Sequence, residues 1–250
     1  MSEPLANVEE LTALRDRVRE KKAAQAASGC TPIRICLGAS CIASGALEVQ
    51  QAMQTELEAA GFGDRATIQE VGCLGPCSGG PVVVVGDVFY ENLKPEHCGE
   101  IVRSQLVKGQ IVERLAHRRP DGRIVAKLDD MEFFRRQTKI VLSRCGRIDP
   151  KRIEDYIAED GYQALAGALQ ANDPDAVLKE MKTSGLRGRG GAGFPTYRKW
   201  LFAKNAEGDR KFVVCNADEG DPGAFMDRSI LEGDPHSVIE GMAVAAFTIG

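Results

Sequence analysis

Apolar residues at the start of the chain recur every three or four positions. Leu5, Val8, Leu11, Leu14 and Val18 share one helical face, and Arg15, Arg17, Arg19 and Lys21 gather towards its end. Residues 1–29 therefore read as an N-terminal amphipathic helix with Gly29 as its stop. From Pro32 the period shortens to that of strands. Residues 33–36 form a short β-like run, and residues 44–60 return to helical spacing through Leu47, Met53 and Leu57, with Gly61 as the stop. Residues 67–71 read as a strand, 81–85 as a buried strand and 87–90 as its hairpin neighbour across Gly86. Pro95 then opens a helix to about residue 108. The order βαββα over residues 30–110 predicts a small α/β sandwich.

The pattern loosens over residues 111–130, where a charged stretch contains the turn signal Arg118-Arg-Pro-Asp-Gly122. A linker is expected there. Beyond it, residues 133–145, 150–158, 162–169 and 174–184 carry helical spacing, the last with Asp173 as its N-cap. A glycine-rich segment follows, then a strand over 211–215, an acidic loop and a helix from Pro235 that still runs at Gly250. One clear strand makes no stable sheet. Residues 131–250 are thus expected to be the front part of a second α/β domain in a longer polypeptide.

Composition narrows the function. Hydrophobic residues are 43% and charged residues 27%, so the chain is globular rather than disordered. The net charge of −4 is a poor match to a nucleic-acid backbone. No apolar run is long enough for a membrane helix, and the N-terminus lacks a signal-peptide pattern, so a cytoplasmic protein is expected.

Eight cysteines are the informative count, and five of them fall between residues 30 and 77. In a reducing compartment such clustering speaks for metal or redox chemistry over disulfides. Cys36-x4-Cys41 and Cys73-x3-Cys77 are two pairs, each on a glycine-bearing loop directly after an expected strand. Four thiolates are what a [2Fe–2S] cluster requires, and glycines let main-chain N–H groups approach sulfur. Structural zinc sites favour tighter Cys-x2-Cys knuckles, and dithiol redox sites favour Cys-x-x-Cys, so the cluster is the preferred reading over zinc or plain buried thiols. Cys98, Cys145 and Cys215 read as small buried residues. Cys30 is ambiguous, sitting at a helix-to-strand junction.

Gly185-Leu-Arg-Gly-Arg-Gly-Gly-Ala-Gly193 packs five glycines and two arginines into nine positions. Such a loop can close on a phosphate or a flat ring, although a flexible basic loop has the same composition. It is neither a full Rossmann fingerprint nor a P-loop. Asp218, Glu219 and Asp221 follow an expected strand end, where α/β folds bind ligands and carboxylates can accept from ribose hydroxyls. A solvated turn or helix cap is the plain alternative. Phe194 and Phe202 are as readily core as ring platforms, Lys199 is within reach of an anion, Trp200 reads as core, and His236 as a helix-start residue.

With these residues assembled, two resemblances stand out. Gly185-Leu-Arg-Gly-Arg-Gly-Gly-Ala-Gly-Phe-Pro-Thr-x-x-Lys-Trp200, Val213-Val-Cys-Asn-Ala-Asp-Glu-Gly-Asp-Pro-Gly223 and Pro235-His-x-x-Ile-Glu-Gly241 resemble the flavin and NADH motifs of the complex I flavoprotein subunit. Phe134-x-x-Gln137, Cys145-Gly-x-Ile-Asp-Pro150, Tyr156-Ile and Gly161-Tyr-x-Ala-Leu165 resemble its helical lead-in. The cysteine quartet, with Gly72-Cys-Leu-Gly-Pro-Cys77 and Pro81-Val-Val-Val84, resembles its thioredoxin-like ferredoxin partner. Both units in one chain look like the flavoprotein subunits of NAD(P)-reducing hydrogenases, electron-bifurcating hydrogenases or formate dehydrogenases.

The resemblance implies a thioredoxin-like [2Fe–2S] domain, a helical lead-in and the front of a Rossmann-like FMN/NAD-binding domain. FMN would be held by Gly188, Arg189, Gly190, Gly191, Gly193, Asn216, Asp218 and Glu219, with Lys199 assisting. NAD(H) or NADP(H) would stack on the flavin near Phe194 and Phe202, with Asp221 near the nicotinamide or ribose. Glu219 is the candidate catalytic-site residue, through a hydrogen bond to the nicotinamide amide, and Cys36, Cys41, Cys73 and Cys77 are the metal ligands. Asp221 stands where the family often has Glu, and Tyr197 where it usually has Gly. A [4Fe–4S] module is expected in the absent remainder, and the partners are other iron–sulfur subunits of a multisubunit redox complex. A flavin-free ferredoxin-like carrier and a peripheral arm of a membrane complex I are the alternatives.

Overall fold

The computed structural model describes residues 5–250, and of Phe133 only the main chain. The first four residues of the expected N-terminal segment lie outside the described residues. α1 (Val8–Ala27) is followed by β1 (Thr31–Cys36), α2 (Ala39–Ala43), α3 (Ala46–Ala59), β2 (Ala66–Val71), β3 (Val83–Val85) and β4 (Val88–Tyr90). α4 (Pro95–Ile101) continues through one wider turn to Val107. The strands form one mixed sheet in the order β2-β1-β3-β4. β1 and β2 run parallel with Cys36 opposite Val71, so the loops after both strands emerge side by side. β3 pairs antiparallel to both β1 and β4, and Gly86, at φ +63°, makes the tight hairpin turn.

Strand periodicity divides the core in two. Ile33, Ile35, Val83, Val85, Val88 and Tyr90 face Val49, Met53 and Leu57 of α3 and Cys98 and Ile101 of α4. Cys36, Val71, Val82, Val84 and Phe89 point the other way, against Leu74, Val125 and Met131. Each fully buried aliphatic side chain contributes about 1.5–3 kcal/mol of transfer free energy. The sheet is thus thioredoxin-like, with α3 and α4 on one face.

Three expectations need correction. Residues 111–130 are no free linker, because Val112, Leu115, Ala116 and Val125 are buried against the sheet. Ala116 bridges to Tyr90 and Lys127 to Val88, while Arg118–Gly122 closes a small hairpin in which Arg119 N donates to Arg123 O at 2.9 Å. Apolar residues every three or four positions in a charged stretch were the missed signal. The helix expected over 133–145 shrinks to α5 (Glu132–Arg135), followed by turns. Thr138, Ile140 and Val141 are β-branched and find no apolar surface, with Ile140 80% exposed. The strand expected over 211–215 is extended chain without a partner among the described residues, and Phe212 and Val214 stand in solvent. Cys215 is accordingly exposed rather than buried.

The second half is helical: α6 (Ile153–Ala158), α7 (Gln163–Ala171), α8 (Pro174–Ser184), α9 (Thr196–Asn205), α10 (Met226–Gly233) and α11 (Pro235–Ile249). Asp173 caps α8 as expected, accepting from Asp175 N and Ala176 N at 3.0 Å. α1 packs on this half, not on the sheet alone. Leu11 clusters with Ile157 and Ala166, and Arg15 and Arg19 pair with Asp160. The N-terminal helix therefore ties the two halves together. Among the described residues no helix is long and apolar enough to cross a membrane.

Candidate functional site

Parallel pairing of β1 with β2 brings the four cysteines together. Cys36 ends β1, and its N–H donates to Val82 O at 3.2 Å. Cys41 lies on α2, one turn beyond Gly38, while Cys73 and Cys77 lie on the loop after β2. Cys36 and Cys41 are buried, Cys73 half-buried and Cys77 exposed. The thiols form a string in which Cys41 meets Cys36, Cys36 meets Cys73, and the Cys73 and Cys77 sulfurs are 3.7 Å apart.

The shared hydrogen bonds drive the thiols apart in acidity. The bond to Cys41 pushes Cys36 up to about 11, and the same bond lowers Cys41. Cys73 is raised strongly by its bond to Cys36 and by burial, and Cys77 is raised chiefly by burial.

Main chain packs closely around the sulfurs. A Cβ on Gly38 would lie 3.3 Å from Cys73 Cβ, and one on Gly80 would lie 3.2 Å from Cys41 Sγ. Among the described residues no three His, Cys, Asp or Glu side chains are arranged to hold a single metal ion. A string of four thiols walled by glycine main chain fits a two-iron cluster, which takes two thiolates at each iron.

The glycine loop is closed at its base and open at its tip. Gly185 caps α8 at φ +66°, Gly188 N donates to Phe194 O at 2.8 Å, and Thr196 N donates to Leu186 O at 3.0 Å. Arg187 Nη1 donates to Gly193 O at 3.1 Å. Between these bonds, a Cβ on Gly190, Gly191 or Gly193 would meet nothing within 4 Å. Gly191 and Gly193 hold φ +100° and +60°, which glycine adopts without penalty. The loop therefore has an open tip whose only side chain between Gly190 and Gly193 is the methyl of Ala192, with Arg189 exposed beside it. That form fits an anionic, planar ligand.

Beside the loop, the Phe194 and Phe202 rings lie 6.4 Å apart and tilted by 46°. The Arg198 guanidinium sits 5.9 and 5.8 Å from the two ring centres, and Lys199 Nζ lies 6.0 Å from Phe194. Arg198 was missed from sequence. Its signal is the spacing 198 and 202, which places Arg198 and Phe202 one turn apart on α9, with Phe194 just ahead of the helix. Trp200, expected in the core, is half-buried.

In the acidic loop, Asn216 Oδ1 accepts from Asp218 N at 3.0 Å. The Glu219 carboxylate accepts from Asp227 N at 2.8 Å and Arg228 N at 3.1 Å. Desolvation pushes this carboxyl up, and the main-chain donors outweigh it, holding it below the usual glutamate range. Both Glu219 oxygens thus serve the start of α10, which makes it the residue that anchors the acidic loop. Asp221 is exposed. Among the described residues no hydrogen bond or ion pair joins the acidic loop to the glycine loop.

A buried polar cluster behind these loops went unassigned from sequence. The Glu240 carboxylate accepts from Tyr156 Oη at 2.5 Å, Tyr162 N at 2.7 Å and Leu165 N at 3.1 Å. Tyr162 Oη meets His236 Nδ1 at 2.8 Å, and Arg144 lies over the Tyr156 ring and contacts the fully buried Asp234 at 3.3 Å.

Comparison with known proteins divides the chain in the same way. Residues 22–105 match the family described as thioredoxin-like [2Fe-2S] ferredoxin, and residues 181–250 match the Nuo51 FMN-binding domain. The NADP-reducing hydrogenase subunit HndC of Solidesulfovibrio fructosivorans is 55% identical over 116 residues, 46% of this chain and 23% of that protein. The NAD-reducing hydrogenase HoxS subunit alpha of Cupriavidus necator is 35% identical over 181 residues, 71% of this chain and 28% of that protein. A thioredoxin-like [2Fe-2S] ferredoxin structure from Aquifex aeolicus is 33% identical, covering 34% of this chain and 88% of that one, with a TM-score of 0.33. The chain spans about a quarter of the length of the two curated relatives.

Proposed function

The chain belongs to the flavoprotein-subunit family that carries a thioredoxin-like [2Fe–2S] ferredoxin domain ahead of a Nuo51 FMN-binding domain, and on that premise we propose that it exchanges electrons between a nicotinamide nucleotide and iron–sulfur centres. The observation that carries the reading is the presence, on one chain, of four thiols strung between two adjacent strand ends and an open glycine loop beside an aromatic pair. FMN, when bound, supplies the conversion between two-electron hydride chemistry and one-electron iron–sulfur chemistry.

The residues divide the work. Main chain at Gly190, Gly191 and Gly193 lets a planar ring or phosphate come close, and Arg189 and Lys199 supply positive charge for a phosphate. Phe194 and Phe202, bridged by Arg198, offer flat apolar surface for a base. Asn216 and Asp218 stiffen the acidic loop, Glu219 anchors it to α10, and the exposed Asp221 is free to accept from a ribose hydroxyl or a nicotinamide amide. Cys36, Cys41, Cys73 and Cys77 would hold the cluster as thiolates. No side chain here is required to move a proton.

The names of the relatives, subunits of NADP- and NAD-reducing hydrogenases, support a place in a multisubunit complex with a hydrogenase as the terminal partner, and we infer that its other subunits carry iron–sulfur centres. Use of NADH or NADPH is a proposal that turns on Asp221. The test is the full-length protein purified anaerobically, assayed for bound flavin and for NADH and NADPH oxidation with an artificial electron acceptor. Bound FMN and turnover with at least one nucleotide are expected. Cluster without flavin, and no turnover with either nucleotide, would overturn the reading in favour of a ferredoxin-like carrier.

A further inference from the structure

The loop that bears Cys73 is seated on the second half at points where glycine main chain leaves no room for a Cβ. A Cβ on Gly72 would fall on Gly233 Cα, at the end of α10, well inside van der Waals contact. One on Gly233 would lie 2.6 Å from Cys145 Sγ, and one on Gly146 2.6 Å from Leu74 Cδ2. Real Cβ atoms essentially never approach closer than 3.0 Å. The segment Gly72–Leu74 is therefore fitted between the end of α10 and the turn at residues 145–146 with no slack on either side.

The seat itself is rigid. Asp234, next to Gly233, is fully buried; its N–H donates to Ile230 O at 2.7 Å and its carboxylate contacts Ser237 N and Arg144 Nη1 at 3.3 Å. Those bonds fix the joint between α10 and α11. Cys145 Sγ fills the space behind Gly233 and reaches Ser229 O at 3.8 Å. A side chain at 233 thus cannot be absorbed by moving the helix end. Its Cβ would press on Cys145 Sγ at 2.6 Å while meeting Gly72 Cα at an ordinary 3.7 Å, so it must displace Cys145, whose neighbour Gly146 lies against Leu74 of the Cys73 loop.

We propose that Gly233, with Cys145 packed behind it, is a positioning residue that sets where the Cys73 thiolate stands. This inference rests on the quartet's reading as a [2Fe–2S] site. Cluster potentials respond to hydrogen bonds at sulfur and to solvent access, both of which follow the placement of the Cys73 loop. Electron exchange with the second half follows the same placement. A residue of the flavin-binding half therefore tunes a centre held entirely by the other half.

The test uses the full-length holoprotein and four variants: Gly233→Ala, Cys145→Ala, the double variant Gly233→Ala/Cys145→Ala, and Cys145→Val. Readouts are the paramagnetic spectrum of the reduced cluster, its midpoint potential and the rate at which a nicotinamide nucleotide reduces it. Gly233→Ala is expected to shift the spectrum and potential and to slow cluster reduction by roughly tenfold, the scale of a sub-ångström misplacement. Cys145→Ala alone leaves all three unchanged. The double variant returns them to wild type, because removing Sγ vacates the space the new Cβ needs. Cys145→Val, which enlarges the same contact without altering the glycine, moves the readouts in the direction of Gly233→Ala and stands in for it should that variant not fold. Unchanged spectra and potentials in both Gly233→Ala and Cys145→Val would overturn the proposal, as would a Gly233→Ala shift that Cys145→Ala fails to reverse. A wild-type protein with no cluster signal would instead overturn the cluster reading, so the two failures are distinct.

Discussion

Gly190→Ala separates the two readings of the glycine loop. Gly190 does not occupy the left-handed region, and its added Cβ would meet nothing within 4 Å. The protein therefore carries no steric cost, and such a change is neutral or stabilises by roughly 0.4–1 kcal/mol through the unfolded chain. If flavin lies against this main chain, the same methyl enters a filled contact. Overpacking of that kind costs about 1–3 kcal/mol, or roughly 5- to 150-fold in FMN affinity at about 1.4 kcal/mol per decade. Gly191→Ala is the contrasting case, since φ +100° adds strain of about 1–2 kcal/mol with or without ligand. The assay is FMN titration of the deflavinated full-length protein by fluorescence quenching, with thermal melts of the flavin-free form. Gly190→Ala should weaken FMN without lowering Tm, and Gly191→Ala should do both. An unchanged FMN Kd in Gly190→Ala would mean that flavin does not lie against this main chain and leave the loop a plain basic turn.

Three further outcomes follow from other parts of the fold. Cys73→Ser should abolish the paramagnetic signal of the reduced cluster, whereas Cys98→Ser should keep it, because Cys98 is buried against Val49 O at 3.5 Å and its thiol is pushed up to about 12 by burial; a signal surviving Cys73→Ser contradicts the ligand set. Glu240→Gln puts an amide where three donors now converge and should cost about 2–4 kcal/mol, read as a fall in denaturant midpoint, while an unchanged midpoint would mean the cluster is redundant. The bonds from Lys151 and Gln50 hold the Glu70 carboxyl below the usual glutamate range, so its stabilising contribution is present at neutral pH and is lost as pH falls through that lowered value; Glu70→Gln should therefore narrow the gap in stability between neutral and acidic pH, and an unaltered acid limb would count against the Lys151 pairing.

The small domain was legible in sequence because its signals are local. Period-two runs at 33–36 and 67–71 and the Gly86 turn gave the sheet, and Pro95 gave the start of α4. That the four thiols come together was legible from their places after two strands, since parallel pairing of β1 with β2 puts both chain ends at one sheet end, although Cys41 sits on α2 and not in the expected loop. What escaped is tertiary. Residues 111–130 read as a charged linker, yet Val112 and Leu115 bury against Tyr90 and its neighbours, and charge between them hid the periodicity. The shortened helix at α5 and the unpaired 211–215 segment share one cause. Apolar runs take up regular structure when a surface buries them, and Ile140 and Val214 have none among the described residues. Gly72 and Gly233 escaped for a different reason, because a side chain's absence is legible only once its neighbour is in place.

The measurement that bears most directly on the central claim is an anaerobic titration of the full-length protein with NADH and with NADPH, followed by visible absorption and by paramagnetic resonance. At least one nucleotide is expected to bleach a flavin band and then raise a [2Fe–2S] signal that Cys73→Ser lacks. Dithionite raising the cluster signal while neither nucleotide changes the spectrum would contradict the claim.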